Sequence, residues 1–241
     1  MKMRLRSGFL VIVLWTLGSS GAHARPALAA SSPEHTTYLR YCASCHGERG
    51  DGRGPAAHHF DNAATDFTRG LYKCRSTPAG TAPTDEDLRL SIQHGLGGTG
   101  MPSFVALGPI DMERLVAVLR DFSAQSKVQA SQAILVPVGT PSDAASIARG
   151  AQVYTRLQCA TCHGGEGHGG PAAGTLKNEN GTVAHVTDIA STHPLKCGDS
   201  PRRIYQTLMT GLDGTPMGSF AEVATPEEIW DLTHFLVSIR H

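Results

Sequence analysis

Two short stretches of this 241-residue chain carry the residue types and spacing that could do chemistry: Cys42-Ala43-Ser44-Cys45-His46 and Cys159-Ala160-Thr161-Cys162-His163. In each, two thiols sit three positions apart and an imidazole follows directly. That spacing lets both cysteines add to the vinyl groups of one haem while the histidine takes the iron. A lone C-x-x-C pair also suits a thioredoxin-like redox couple or half a zinc site. The histidine present in both copies favours haem, one group for each copy.

An iron held by imidazole on one side needs a second axial ligand if it is to shuttle electrons rather than bind gas or peroxide. Methionine sulfur is soft, prefers Fe(II) and raises the potential relative to a second histidine. Met101 lies 55 residues after His46, and Met217 lies 54 after His163. Their loops match without gaps: residues 95–104 and 211–220 are identical at seven of ten positions. A single methionine is more often a flexible core filler, but a duplicated pair on polar, glycine-rich loops points to ligation. Met112 and Met209 are the competitors. Met209 aligns with Gln93, so the repeat does not support it. Of the remaining histidines, His94 is the one alternative ligand to check.

The elements that must position these groups read twice along the chain, which indicates two units. Ser32 caps a first helix with Pro33 at its first turn, and this helix leads into the first motif. A glycine-rich loop, 47–54, and Pro55 follow, the latter either an ordinary loop proline or a support for His46. Thr84 opens a short helix with a capping box, stopped by Gly95. After the methionine loop, Asp111 opens a helix with Leu115, Val118, Leu119 and Phe122 on one side, expected to pack on the first helix. The second half repeats the order: Gly150, Tyr154 and Leu157 ahead of the motif, Pro171 after the loop, Ser200-Pro201 capping a short helix, and Thr225 opening a closing helix with Ile229, Leu232 and Leu236. Thr187-Asp188-Ile189 parallels Thr65-Asp66-Phe67, and Lys196-Cys197 parallels Lys73-Cys74. The expected organisation is a signal peptide at 1–24, a first domain at 32–124, a linker at 125–142 and a second domain at 143–241.

The leader reading rests on Lys2, Arg4 and Arg6, an apolar run from Phe9 to Leu17 and Ala22-His23-Ala24 before the expected cleavage site. The run is about half the length of a membrane-spanning helix. Export to a bacterial periplasm follows, with no membrane segment after cleavage. With 21 basic and 21 acidic residues overall, losing the three basic residues of the leader leaves a mildly acidic chain, too weak a balance to imply nucleic acid or an anionic membrane as partner. Aromatic residues make up 6%, as expected if each small core is filled largely by a porphyrin. No triad, phosphate loop or carboxylate pair aimed at a substrate is legible.

From about Pro33 to Ile239 the chain resembles the tandem di-haem class I cytochromes c of bacteria. The resemblance implies an all-α fold of two small helical bundles, each around one covalently attached haem c. Carried over residue by residue, it implies thioether attachment at Cys42, Cys45, Cys159 and Cys162, and iron ligation by His46 with Met101 and by His163 with Met217. It also implies electron transfer between a dehydrogenase or quinol-oxidising donor and a terminal acceptor, as a free carrier or as a subunit of an oxidoreductase complex. Cys74 and Cys197 depart from the simple family pattern. They can be a disulfide across a pseudo-twofold axis in an oxidising compartment, or buried free thiols. In a third reading one of them ligates iron, which resembles the thiol-ligated haems of thiosulfate-oxidising cytochromes and would make the protein an enzyme acting on sulfur compounds.

Overall fold

The computed structural model describes residues 28–124 and 126–241; the leader at 1–24 lies outside the described residues. Each half begins with a capped helix that delivers the chain to its motif. In α1 (Pro33–Tyr41) the Ser32 hydroxyl accepts from His35 N, and Pro33 occupies a first-turn position where no N–H is needed. The motif itself forms the single-turn helix α2 (Ala43–His46). Thr84 and Asp87 make the reciprocal capping box of α3 (Asp85–His94). The helix expected from Asp111 starts earlier, as α4 (Pro109–Ser123) with Gly108 at its cap, because Pro109 suits the first helical position.

In the second half α5 spans Ala144–Arg156 and opens on a capping box between Asp143 and Ser146. The motif helix α6 (Ala160–His163), α7 (Pro201–Thr210) and α8 (Pro226–Ser238) follow. No strand forms among the described residues; backbone pairing outside helices is limited to isolated bridges such as Ala82 with Ala130. The fold is all-α.

The apolar stripe of α4 is buried and meets α1, where Phe122 sits edge-on to Tyr38 with ring centroids 4.9 Å apart. Burying a side chain of this size contributes roughly 1.5–3 kcal/mol. The equivalent pair in the second half is α5 with α8. These two helices approach so closely that a Cβ at Gly150 would collide with the Asp231 carbonyl. Arg149 grips the Asp231 carboxylate through two bonds, 2.6 and 2.9 Å.

The second half has one more residue between its buried tyrosine and its motif. Cys42 N donates to Tyr38 O four residues back, whereas Cys159 N donates to Tyr154 O five residues back. Gln158 absorbs the extra residue in the left-handed region, φ 57°, which side chains other than glycine rarely adopt.

Residues 126–142 form no helix but are not free of the halves. Ile134 N donates to Ser76 O at 2.7 Å, Val136 is buried in the second core, and Gly139 lies against the Trp230 ring. The halves meet face to face. Cys74 and Cys197 form a disulfide, with S–S 2.05 Å and Cα atoms 5.3 Å apart. The reading in which Cys74 or Cys197 ligates iron is therefore not the arrangement found, because each sulfur is already bonded to the other.

Candidate haem-binding sites

The two halves hold their motif histidines by the same device. His46 Nδ1 is 3.1 Å from the Thr65 carbonyl, and His163 Nδ1 is 3.1 Å from the Thr187 carbonyl. A carbonyl can only accept, so Nδ1 carries the proton and Nε2 keeps its lone pair for a metal. Burial lowers both histidines below the usual imidazole range, against the pull of the carbonyl. Burial thus favours the neutral imidazole in each, the form an iron requires. Pro55 has no part in this: it is exposed, and the carbonyl that serves His46 comes from Thr65, on the loop before the turn Phe67–Arg69. The Thr65/Thr187 match was visible in sequence as a repeat; its role was not, because the acceptor is backbone.

Phe67 backs the first imidazole, stacked at 4.4 Å between centroids and 22° between planes. Its counterpart is Ile189, so the second imidazole lacks this ring.

Burial pushes the Cys42 thiol to about 12 and the Cys159 thiol to about 11. A C-x-x-C redox couple works through a thiol of lowered pKa. These sites point away from that chemistry.

The methionine loops repeat hydrogen bond for hydrogen bond. Leu96 N donates to Met101 O and Leu212 N to Met217 O, at 3.2 and 2.8 Å. The Thr99 and Thr215 hydroxyls each donate to the leucine carbonyl at 2.7 Å and accept the methionine N–H at 3.2 Å. Ser103 and Ser219 tie the loop to the preceding helix through the Gln93 and Met209 carbonyls, both at 2.6 Å. The shared threonine and serine thus fix the methionine backbone.

In the second half Cys159, Cys162, His163 and Met217 all line one cavity of about 800 Å³. The first half contributes part of its wall, including Thr65, Arg69 and Lys73. In the first half Cys42 and Met101 pack at the edge of the core. Met101 borders a separate cavity of about 550 Å³ that faces Leu195 and Lys196, and His46 is not on that wall. His94 is exposed at the same cavity. Met112 and Met209 pack against the cores of their own halves.

Lys73 and Lys196, next to the disulfide, both line the larger cavity, and neither has a carboxylate within ion-pair distance among the described residues. Burial, and secondarily Lys196, brings Lys73 down to about 8. Apolar walls, a neutral imidazole, paired thiols and half-buried cations lacking a counter-charge fit a porphyrin bearing two carboxylates.

The profile of the cytochrome c family matches residues 147–240, and that of cbb3-type cytochrome c oxidase subunit III matches residues 31–119. Among solved structures, a chain of the reducing HAO-like protein complex of Kuenenia stuttgartiensis is similar at 34% identity and a TM-score of 0.83, covering 86% of this chain and 96% of that one. No curated protein sequence matches significantly. The chain belongs to the tandem cytochromes c. Cytochrome c domains carry covalently bound haem c and transfer electrons, so two such domains imply two haems. No helix among the described residues is long and apolar enough to cross a membrane.

Proposed function

We propose that this protein is an exported, periplasmic di-haem electron relay. Haem c would be attached at Cys42 and Cys45 and again at Cys159 and Cys162, with iron held by His46 and Met101 in one half and by His163 and Met217 in the other. The bound haem supplies one-electron chemistry; the chain supplies its position and its potential. Neutral Nε2 lone pairs and thioether sulfurs are low-charge donors that favour the reduced metal. Two six-coordinate sites leave no open position for a substrate.

The observation that carries this reading is the duplicated constellation itself: two imidazoles with the same carbonyl partner, and two methionine loops with the same internal bonds. The disulfide makes one unit of the halves, which suits transfer from one haem to the other. It also removes the thiolate that an enzyme acting on thiosulfate would use. The similarity to a chain from a redox complex supports a fixed subunit rather than a free carrier.

Mass spectrometry of the mature protein reads the leader and the haems together. The expected mass is that of a chain starting near Arg25 plus two haems; fewer than two haems would overturn the reading. Adding thiosulfate should leave the oxidised spectrum unchanged. In its native host the protein should co-purify with a redox partner through salt washes, and loss of that partner would favour the free carrier.

A further inference from the structure

The two methionine loops differ at a position where the reason lies across the interface. Asp213, in the loop that ends at Met217, aligns with Gly97 in the loop of Met101. Arg75, immediately after Cys74, aligns with Gly198. The second half's methionine loop is thus the one that receives a charged side chain from the opposite half.

Arg75 is sealed, with a fully buried side chain. Its Nη2 is 2.7 Å from Asp213 Oδ1 and 2.6 Å from the Thr210 carbonyl. Its remaining donors reach the Tyr72 carbonyl at 3.0 Å and the Pro78 carbonyl at 3.3 Å, both on its own loop. Asp213 completes the joint by accepting from Gly80 N at 3.1 Å. Thr210 ends α7, and Asp213 stands four residues before Met217. A planar guanidinium with fixed donor directions therefore spans the start of the Met217 loop. Among the described residues no charged side chain of the second half reaches the other loop, whose side-chain tie comes from its own half, where the Asn62 amide donates to the Gly98 carbonyl at 3.1 Å. There Gly97 lies flat against the Pro194–Leu195 backbone, leaving no room for a Cβ.

The structure assigns Arg75 as a positioning residue, supplied by the first half, for the Met217 loop of the second. Removing its guanidinium frees the start of that loop and leaves the half-buried Asp213 carboxylate with the Gly80 N–H but no counter-charge, so the Met217 sulfur is lost from iron more readily. The Met101 sulfur, which has no such clamp, is unaffected. This rests on the reading of Met217 as an iron ligand.

The test uses the oxidised di-haem protein and the weak far-red sulfur-to-iron charge-transfer band, followed against pH. In Arg75→Met about half of the band should be lost at neutral pH, or its loss should begin at a pH at least one unit lower for one haem only. Arg75→Lys, which keeps the charge without the fork, should recover part of it. Arg75→Met/Asp213→Gly, which copies the uncharged joint of the first half, keeps the question answerable if Arg75→Met fails to fold. It should show the same one-haem effect. In a Met217→His background, Arg75→Met should change nothing further. A full band with an unshifted pH profile in both Arg75 variants would overturn the clamp, as would an equal effect on both haems. If Met217→His alone leaves the band whole, the ligand reading fails instead, and the clamp with it.

Discussion

Tyr38 donates its hydroxyl hydrogen to the Gly47 carbonyl at 2.7 Å, and Tyr154 repeats the bond to the Gly164 carbonyl at 2.6 Å. Both glycines directly follow a motif histidine and hold φ at 77°, a conformation that favours a residue lacking Cβ. Each bond ties the far end of the motif to the helix that introduces it. Tyr38 is wholly buried, so Tyr38→Phe leaves the carbonyl unpaired and should cost about 1–3 kcal/mol. The Tyr154 bond is partly exposed, where water can replace it, and Tyr154→Phe should cost about 1 kcal/mol. Denaturant unfolding of the holoprotein compares the two. Equal effects, or a negligible one for Tyr38, would count against this account of the motif's support.

The disulfide closes a sequence separation of 123 residues. In the chain-entropy treatment such a loop restricts the unfolded state by about 4–5 kcal/mol. Each half has its own core, so the link also decides whether they unfold together. The native protein should melt in one transition, and Cys74→Ser/Cys197→Ser in two, with the earlier one well below the native midpoint. Calorimetry reads this directly. Alkylation of the denatured, unreduced protein should add nothing to Cys74 or Cys197.

How much was legible in the sequence follows from where each cause lies. The motifs, the methionine loops and the caps at Ser32, Thr84, Ser200 and Thr225 are local, so residue type and spacing suffice to find them. The Asp143 cap is equally local, but its partner is Ser146 rather than the usual acidic residue. What escaped was contact at a distance: Thr65 serving His46 through a carbonyl, and Arg75 reaching Asp213 across the interface. The mismatch between Gly97 and Asp213 stood out in a loop otherwise nearly identical, yet its reason is the opposite half. The position is itself testable. A Cβ at Gly97 would collide with the Pro194 backbone, which cannot turn aside as a side chain can. Gly97→Ala should destabilise the holoprotein by about 1–3 kcal/mol, whereas Gly98→Ala, which meets open space but has φ 65°, should cost about 1 kcal/mol. Thermal melts of the two variants decide it, and a smaller effect at Gly97 would show that the halves are less tightly apposed.

His168 and Asp188 lie close to the second motif, and their pairing sets a pH dependence of known sign. His168 Nδ1 is 3.0 Å from both carboxylate oxygens of Asp188. That hydrogen bond, helped by the carboxylate charge, raises the imidazole above the usual value of about 6.5. A group whose pKa is higher in the folded state favours folding when protonated. The contribution is therefore complete below about pH 6.5 and is lost as pH rises through the folded value. Both side chains are about half exposed, so salt should weaken the pair. In the reduced, diamagnetic protein, NMR should show His168 titrating above a free histidine, with the gap narrowing as salt is added. Asp188→Asn should bring the titration back toward the ordinary value. The amide keeps an Oδ1 acceptor for Ala190 N and Ser191 N, which donate to that one carboxylate oxygen at 3.1 and 3.0 Å. Thr187, whose carbonyl orients His163, is the residue just before, so a substitution that only weakened the pair would leave the His163 environment unchanged. A shift of the haem-ligand resonances in Asp188→Asn would mean that Asp188 holds the Thr187 loop itself.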